Sequence, residues 1–109
     1  MHQAIVDLGI EDVKAGLSDG SILLVDVREP NEHAMGMIPG SVAMPLSQFD
    51  PHALPAEDGK RLVFTCAAGV RSRIAIEAAR RAGVEVDAHL APGYKGWVAA
   101  GEDIVHSAD

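Results

Sequence analysis

The sequence is poor in several features, and each shortage excludes a class of protein. Cys66 is its single cysteine among 109 residues, so neither an internal disulfide nor a cysteine-rich metal site can be built. Its five histidines, His2, His33, His52, His89 and His106, lack metal-ligand spacing; no metal is expected, and most of them read as solvated. Basic residues are scarce, with 9 Lys+Arg against 16 Asp+Glu and a formal charge of -7. That field repels a polyanion and argues against a nucleic-acid partner. No apolar run reaches the length that spans a bilayer, so no membrane partner is expected. The first residues, Met1 to Lys14, show no basic region followed by an apolar stretch; they do not read as a secretory signal, and a cytosolic location is expected. What is present is apolar: 48% of residues are hydrophobic, which excludes a disordered chain. The length suits one core, so a single domain is expected over 1–109.

Ile10, Val13 and Leu17 recur at helical spacing, and a short helix ending around Ser18-Asp19-Gly20 follows. Ile22 to Val25, continuing to Val27, is an unbroken apolar run that fits a strand buried on both faces. Pro30 can open a short helix because its fixed φ suits a first turn. Ile38-Pro39-Gly40 reads as a turn, Ser41 to Met44 as a short strand, and Asp50 to Gly59 as surface connection. Arg61 to Thr65 is a second clear strand. Ser72 to Ala82 is the strongest helix, with an apolar stripe of Ile74, Ala75, Ala78, Ala79 and Ala82, ended by Gly83. Val84 to Leu90 reads as a strand and Tyr94 to Ala100 as a closing helix. Alternating strands and helices imply an α/β domain: a central, mostly parallel sheet with helices on both faces.

In such sheets ligands sit beyond the carboxyl ends of the strands, which is where Cys66 falls. The loop Cys66-Ala67-Ala68-Gly69-Val70-Arg71-Ser72 leads from a buried strand to a helix. Four residues separate Cys66 from Arg71, so the loop is expected to curl around the sulfur, with Gly69 supplying a positive φ. Backbone N–H groups then converge on it as an anion nest, and the helix start and Arg71 add positive potential. All of these favour a thiolate, so a lowered Cys66 pKa is expected. A free cysteine is often only a small buried hydrophobe, but such a residue has no use for an anion nest.

Three blocks in this order resemble the rhodanese family. LLVDVREPNEH followed by GMIPGSVAMPL is similar to its first signature, VFTCAAGVRS to its active-site loop, and AHLAPGYKGW to its terminal segment. The resemblance covers about Leu17 to Val105. It implies a rhodanese-like fold and a single-domain thiosulfate sulfurtransferase, with Cys66 as nucleophile and Ala67, Ala68, Gly69, Val70, Arg71 and Ser72 binding the substrate. It further implies a small anionic sulfur donor, a cyanide or thiol acceptor, in some cases a sulfur-accepting protein, and no cofactor. Two positions depart from the family pattern. Met37 replaces the usual His before Ile-Pro-Gly, so packing or entry there is expected to differ. Pro92-Gly93 replaces Gly-Gly and is expected to stiffen a loop near the site.

Other residues have plainer readings. Asp26 and Arg28 read as a pair that pins neighbouring loops. Arg73 lies either on the helix surface or at the pocket, and Arg80 and Arg81 complement the helix C-terminus. Trp97 and Tyr94 read as core and pocket wall. Three other functions compete. A cysteine phosphatase or arsenate reductase also pairs a thiolate with an arginine, but its loop is usually one residue longer than this one. A dedicated persulfide carrier keeps the cysteine and hands sulfur to one partner, whereas a pure binding module has no need of Cys66.

Overall fold

The computed structural model describes residues 4–55 and 59–106. Among them, five strands form one parallel sheet: β1 (Val6–Leu8), β2 (Ile22–Asp26), β3 (Val42–Ala43), β4 (Arg61–Thr65) and β5 (Ala88–Leu90), in the spatial order β1-β5-β4-β2-β3. The helices are α1 (Ile10–Asp19), α2 (Pro30–His33), α3 (Arg71–Arg81) and α4 (Gly93–Ala99). β4 is the central strand, paired along its length with β2 from Ile22↔Arg61 to Asp26↔Thr65. Every residue of β2 is buried, as an apolar strand covered on both faces must be.

The alternation of side chains along the strands divides the core in two. On one face Ile22, Leu24, Val63, Ala88 and Leu90 pack with Val13 of α1 and Trp97 of α4. On the other, Val25, Phe64 and Val86 pack with Ala75, Ile76 and Ala79 of α3, and Cys66 joins this cluster. Each fully buried Val, Leu or Phe contributes roughly 1.5–3 kcal/mol relative to exposure. Helices therefore cover both faces, as the alternation of elements implied.

Several boundaries differ from the sequence expectation. β1 was not foreseen: its three residues are too few to show a period, and pairing with β5 creates it. The strand expected from Val84 shrinks to Ala88–Leu90. Before it, the Val84 N–H closes the end of α3 on Ala79 O, and Arg80 Nε caps Val86 O at 3.0 Å. The buried stripe of α3 is Ser72, Ala75, Ile76 and Ala79; Ile74, placed there by the sequence, is 51% exposed. The sheet-facing stripe runs through positions 72, 75, 76 and 79, and Ile74 lies off it. Within the expected connection from Asp50, Pro51–Ala53 form a 3-10 turn capped by the Asp50 carboxylate; residues 56–58 of that stretch lie outside the described residues.

The Asp26–Arg28 pair is entirely internal. Arg28 Nε and Nη2 donate to the Asp26 carboxylate at 2.8–3.1 Å. The same guanidinium donates to Glu32 O and Gly36 O and lies 3.9 Å from the centroid of the Tyr94 ring. One buried cation thus ties together β2, α2, the following turn and α4. Met37 is buried, and its backbone forms an antiparallel bridge with Val105 in the C-terminal segment. Trp97 is buried, and its Nε1–H donates to Asp103 O at 2.6 Å.

Candidate active site

Cys66 is the first residue after β4, and the loop that follows is fixed by two close backbone approaches. Gly69 adopts φ +87°, and a Cβ there would sit 2.4 Å from Ala91 O. Gly93, with φ +68°, allows α4 to abut the loop, since its Cβ would lie 2.5–2.7 Å from backbone atoms of Cys66 and Ala67. The Tyr94 and Lys95 N–H groups donate to the carbonyls of Cys66 and Ala67 at 2.8 and 3.0 Å. Pro92 precedes α4 as its N-cap residue. The start of the loop is thus held by β4 and by backbone hydrogen bonds from α4.

The sulfur lies in a donor-lined recess, and Cys66 is only 1% exposed. The Gly69 N–H donates to Sγ at 3.2 Å, and the Cys66 Sγ–Ser72 Oγ contact is 3.5 Å. Burial pushes the thiol pKa up, but hydrogen bonding from the Ser72 hydroxyl and from the N–H groups of Ser72, Ala68 and Gly69 outweighs it. The net position is below the ordinary thiol value, as the loop chemistry predicted.

The loop residues separate into distinct roles. Ala68, Gly69 and Ser72 gather around the sulfur. Ala67 supplies a carbonyl to α4, and Val70 is exposed at the start of α3. Arg71 departs from expectation: its guanidinium forms a two-pronged ion pair with Glu32 of α2, at 2.6 and 2.8 Å. Its charge still favours the Cys66 thiolate, but its donor fork is occupied. The Arg71 hydrogen bonds hold the Glu32 carboxyl down to about 2. The sequence contained no local sign of this pair, because the two residues lie 39 positions apart.

The histidines also differ from expectation. His89 is 2% exposed and His33 is buried as well. His33 belongs to α2, with Nε2 lying 3.5 Å from Asp26 Oδ1 and making no hydrogen bond. His89 is the central residue of β5 and faces α3. Its Nδ1 lies 2.7 Å from Ser72 Oγ, and its Nε2 lies 2.7 Å from Asp7 Oδ1 of β1. Arg73, exposed on α3, reaches the same Asp7 oxygen at 3.3 Å. A buried imidazole on the apolar sheet face is physically reasonable because both of its nitrogens are paired. His52 and His106 are exposed, and His2 lies outside the described residues.

No group of three or more His, Cys, Asp or Glu able to hold a metal occurs among the described residues. No helix there is long and apolar enough to cross a membrane.

A family model, the rhodanese-like domain, matches residues 10–100. An uncharacterized protein of Synechocystis is 41% identical over 81 residues, covering 74% of this chain and 45% of its own length; the chain thus spans about half of that relative. The thiosulfate:glutathione sulfurtransferase of Saccharomyces cerevisiae is 36% identical, with 91% of this chain and 82% of that protein covered. A solved structure from Rhodopseudomonas palustris, described as a protein of unknown function and possible tyrosine phosphatase, superposes with a TM-score of 0.77. It is 32% identical and covers 93% of this chain and 85% of its own.

Proposed function

The chain belongs to the rhodanese-like domain family, and from that premise we propose that it is a sulfurtransferase working through a persulfide on Cys66. The thiolate attacks the outer sulfur of a donor such as thiosulfate. A Cys66–S–S⁻ persulfide forms as the donor's S–S bond breaks, and sulfite leaves with the bonding electron pair. Cyanide or a thiol then takes the outer sulfur and returns Cys66 as thiolate, a double displacement through a covalent intermediate. No step requires a metal or an organic cofactor. The reaction needs a free thiol, which suits a reducing compartment such as the cytosol.

One observation supports this reading: Cys66 Sγ accepts from the Gly69 N–H at 3.2 Å and lies 3.5 Å from the Ser72 hydroxyl oxygen. Backbone donors of this kind stabilise negative charge on a thiolate or persulfide. A phosphatase needs a free guanidinium to clasp a phosphoryl group. Here the Arg71 fork is taken by Glu32, and the loop is short.

The same ion pair favours a second reading. With Arg71 neutralised and a chain charge of -7, a small dianion is poorly attracted, whereas a persulfide delivered by a partner protein needs no such attraction. In that case the chain acts as a dedicated carrier.

Intact mass after incubation with thiosulfate tests the proposal on wild type and Cys66→Ser. A reductant-reversible gain of one sulfur on wild type alone is expected. Rapid turnover to cyanide marks an enzyme, and loading without turnover marks a carrier. No sulfur uptake from thiosulfate, mercaptopyruvate or a partner persulfide by folded, reduced protein sinks both readings.

A further inference from the structure

We propose that Asp7, His89 and Ser72 form a proton relay that ionises the Cys66 thiol. The idea rests on the sulfur chemistry proposed above only in its purpose; its geometry stands independently. Four groups, two of them in the active-site loop and one each on β5 and β1, form one continuous line: Cys66 Sγ to Ser72 Oγ at 3.5 Å, Ser72 Oγ to His89 Nδ1 at 2.7 Å, and His89 Nε2 to Asp7 Oδ1 at 2.7 Å.

The carboxylate fixes the direction. Asp7 can only accept, so His89 Nε2 carries the proton and Nδ1 presents a lone pair. The Ser72 hydroxyl therefore donates to Nδ1, leaving its oxygen to accept from the Cys66 S–H. Two short transfers then ionise the thiol. The Ser72 proton moves to Nδ1 as the Cys66 proton moves to Ser72 Oγ. The products are a thiolate, a neutral hydroxyl now donating to the sulfur, and an imidazolium facing Asp7. Protons and charge balance with no outside acceptor, and the hydroxyl reverses its hydrogen bond so that it stabilises the anion it has created.

Placement also argues for function rather than framework. His89 and Ser72 are buried within the apolar cluster beneath α3, yet the line of contacts leaves the core through Asp7, whose side chain is 62% exposed. The relay thus links a nearly sealed sulfur to water. Among the described residues the charged groups at the imidazole are Asp7 from β1, Arg73 from α3 on the same carboxylate oxygen, and Cys66 itself through Ser72. Ser72 touches the reacting sulfur and is a catalytic residue; His89 and Asp7 act through it as positioning residues.

The test reads thiolate formation directly, by ultraviolet absorbance against pH, in wild type, His89→Asn, Asp7→Asn and Ser72→Ala, each checked for folding by circular dichroism. Asp7→Asn is included because an exposed side chain can change without endangering the fold. The thiol midpoint is expected to move upward in all three variants. Persulfide formation at neutral pH should fall on the order of tenfold, less than for a direct general base because solvent still ionises the thiol. Unchanged thiol midpoints in folded His89→Asn and Asp7→Asn would overturn the relay. Shifted midpoints in a protein that takes sulfur from no donor would uphold the relay and reject the sulfurtransferase reading.

Discussion

The two faces of the sheet are built from the same kinds of strand residue but serve different ends. The face under α1 and α4 is closed and apolar, with Val13, Leu24, Val63 and Leu90 at or near zero exposure. The face under α3 buries a comparable apolar set but threads a polar line through it, from Cys66 to Ser72 to His89. Burying polar groups costs free energy unless every one is paired. Here the pairing runs to the exposed carboxylate of Asp7. One face is a foundation, and the other accepts a polar cost in order to hold a reactive sulfur.

The largest expected effect separates these roles outright. Cys66→Ser should abolish sulfur uptake while leaving thermal stability near that of wild type, as intact mass and a thermal melt will show. Leu24→Ala on the opposite face should do the reverse. A loss of about 2–5 kcal/mol is expected for a large-to-small change in a packed core, measured by urea denaturation, with sulfur uptake per folded molecule unchanged. A marked loss of uptake in that variant would show that the faces are not independent.

Gly93→Ala addresses a place where α4 meets the loop. The new methyl would collide with the backbone of Cys66 and Ala67 at a positive φ, and a cost of about 1–3 kcal/mol is expected. Because α4 holds the loop, persulfide formation should fall as well, and a stability loss with full activity would show that the loop holds its own shape. The acid limb of stability gives a smaller effect. The Glu32 pKa is lowered from 4.5 to about 2, so its contribution is complete above the ordinary value and disappears as pH falls toward the folded one. Denaturation curves across that window should be steeper for wild type than for Glu32→Gln, by at most about 1 kcal/mol since the pair is partly exposed. Ile74→Ser should change stability by less than about 0.5 kcal/mol; a larger loss in a urea melt would place Ile74 in the core after all.

Much of the fold was legible because its signals are local. The apolar run of β2, the period of α1 ending in Gly20, and the strand–Cys–Gly–helix succession at β4 and α3 can each be read within a dozen residues. The candidate nucleophile followed from that succession. Other features are matters of context. β1 has three residues, too few for a period to emerge, and β5 is the last part of the longer strand expected from Val84. The stripe of α3 was misread because Ile74 and Ile76 are equally apolar, and only the orientation of the helix on the sheet chooses between them.

Residues near one another in the chain set the order of most elements and put Cys66 at the end of a buried strand. Local propensity, periodicity and turn residues are sufficient for these. Tertiary structure alone decided which partner each long-range group takes. It gave the Arg71 fork to Glu32, and it joined Asp7 to His89 across 82 positions by pairing the first strand with the last. Such contacts depend on strand order and register, and no local pattern carries that information.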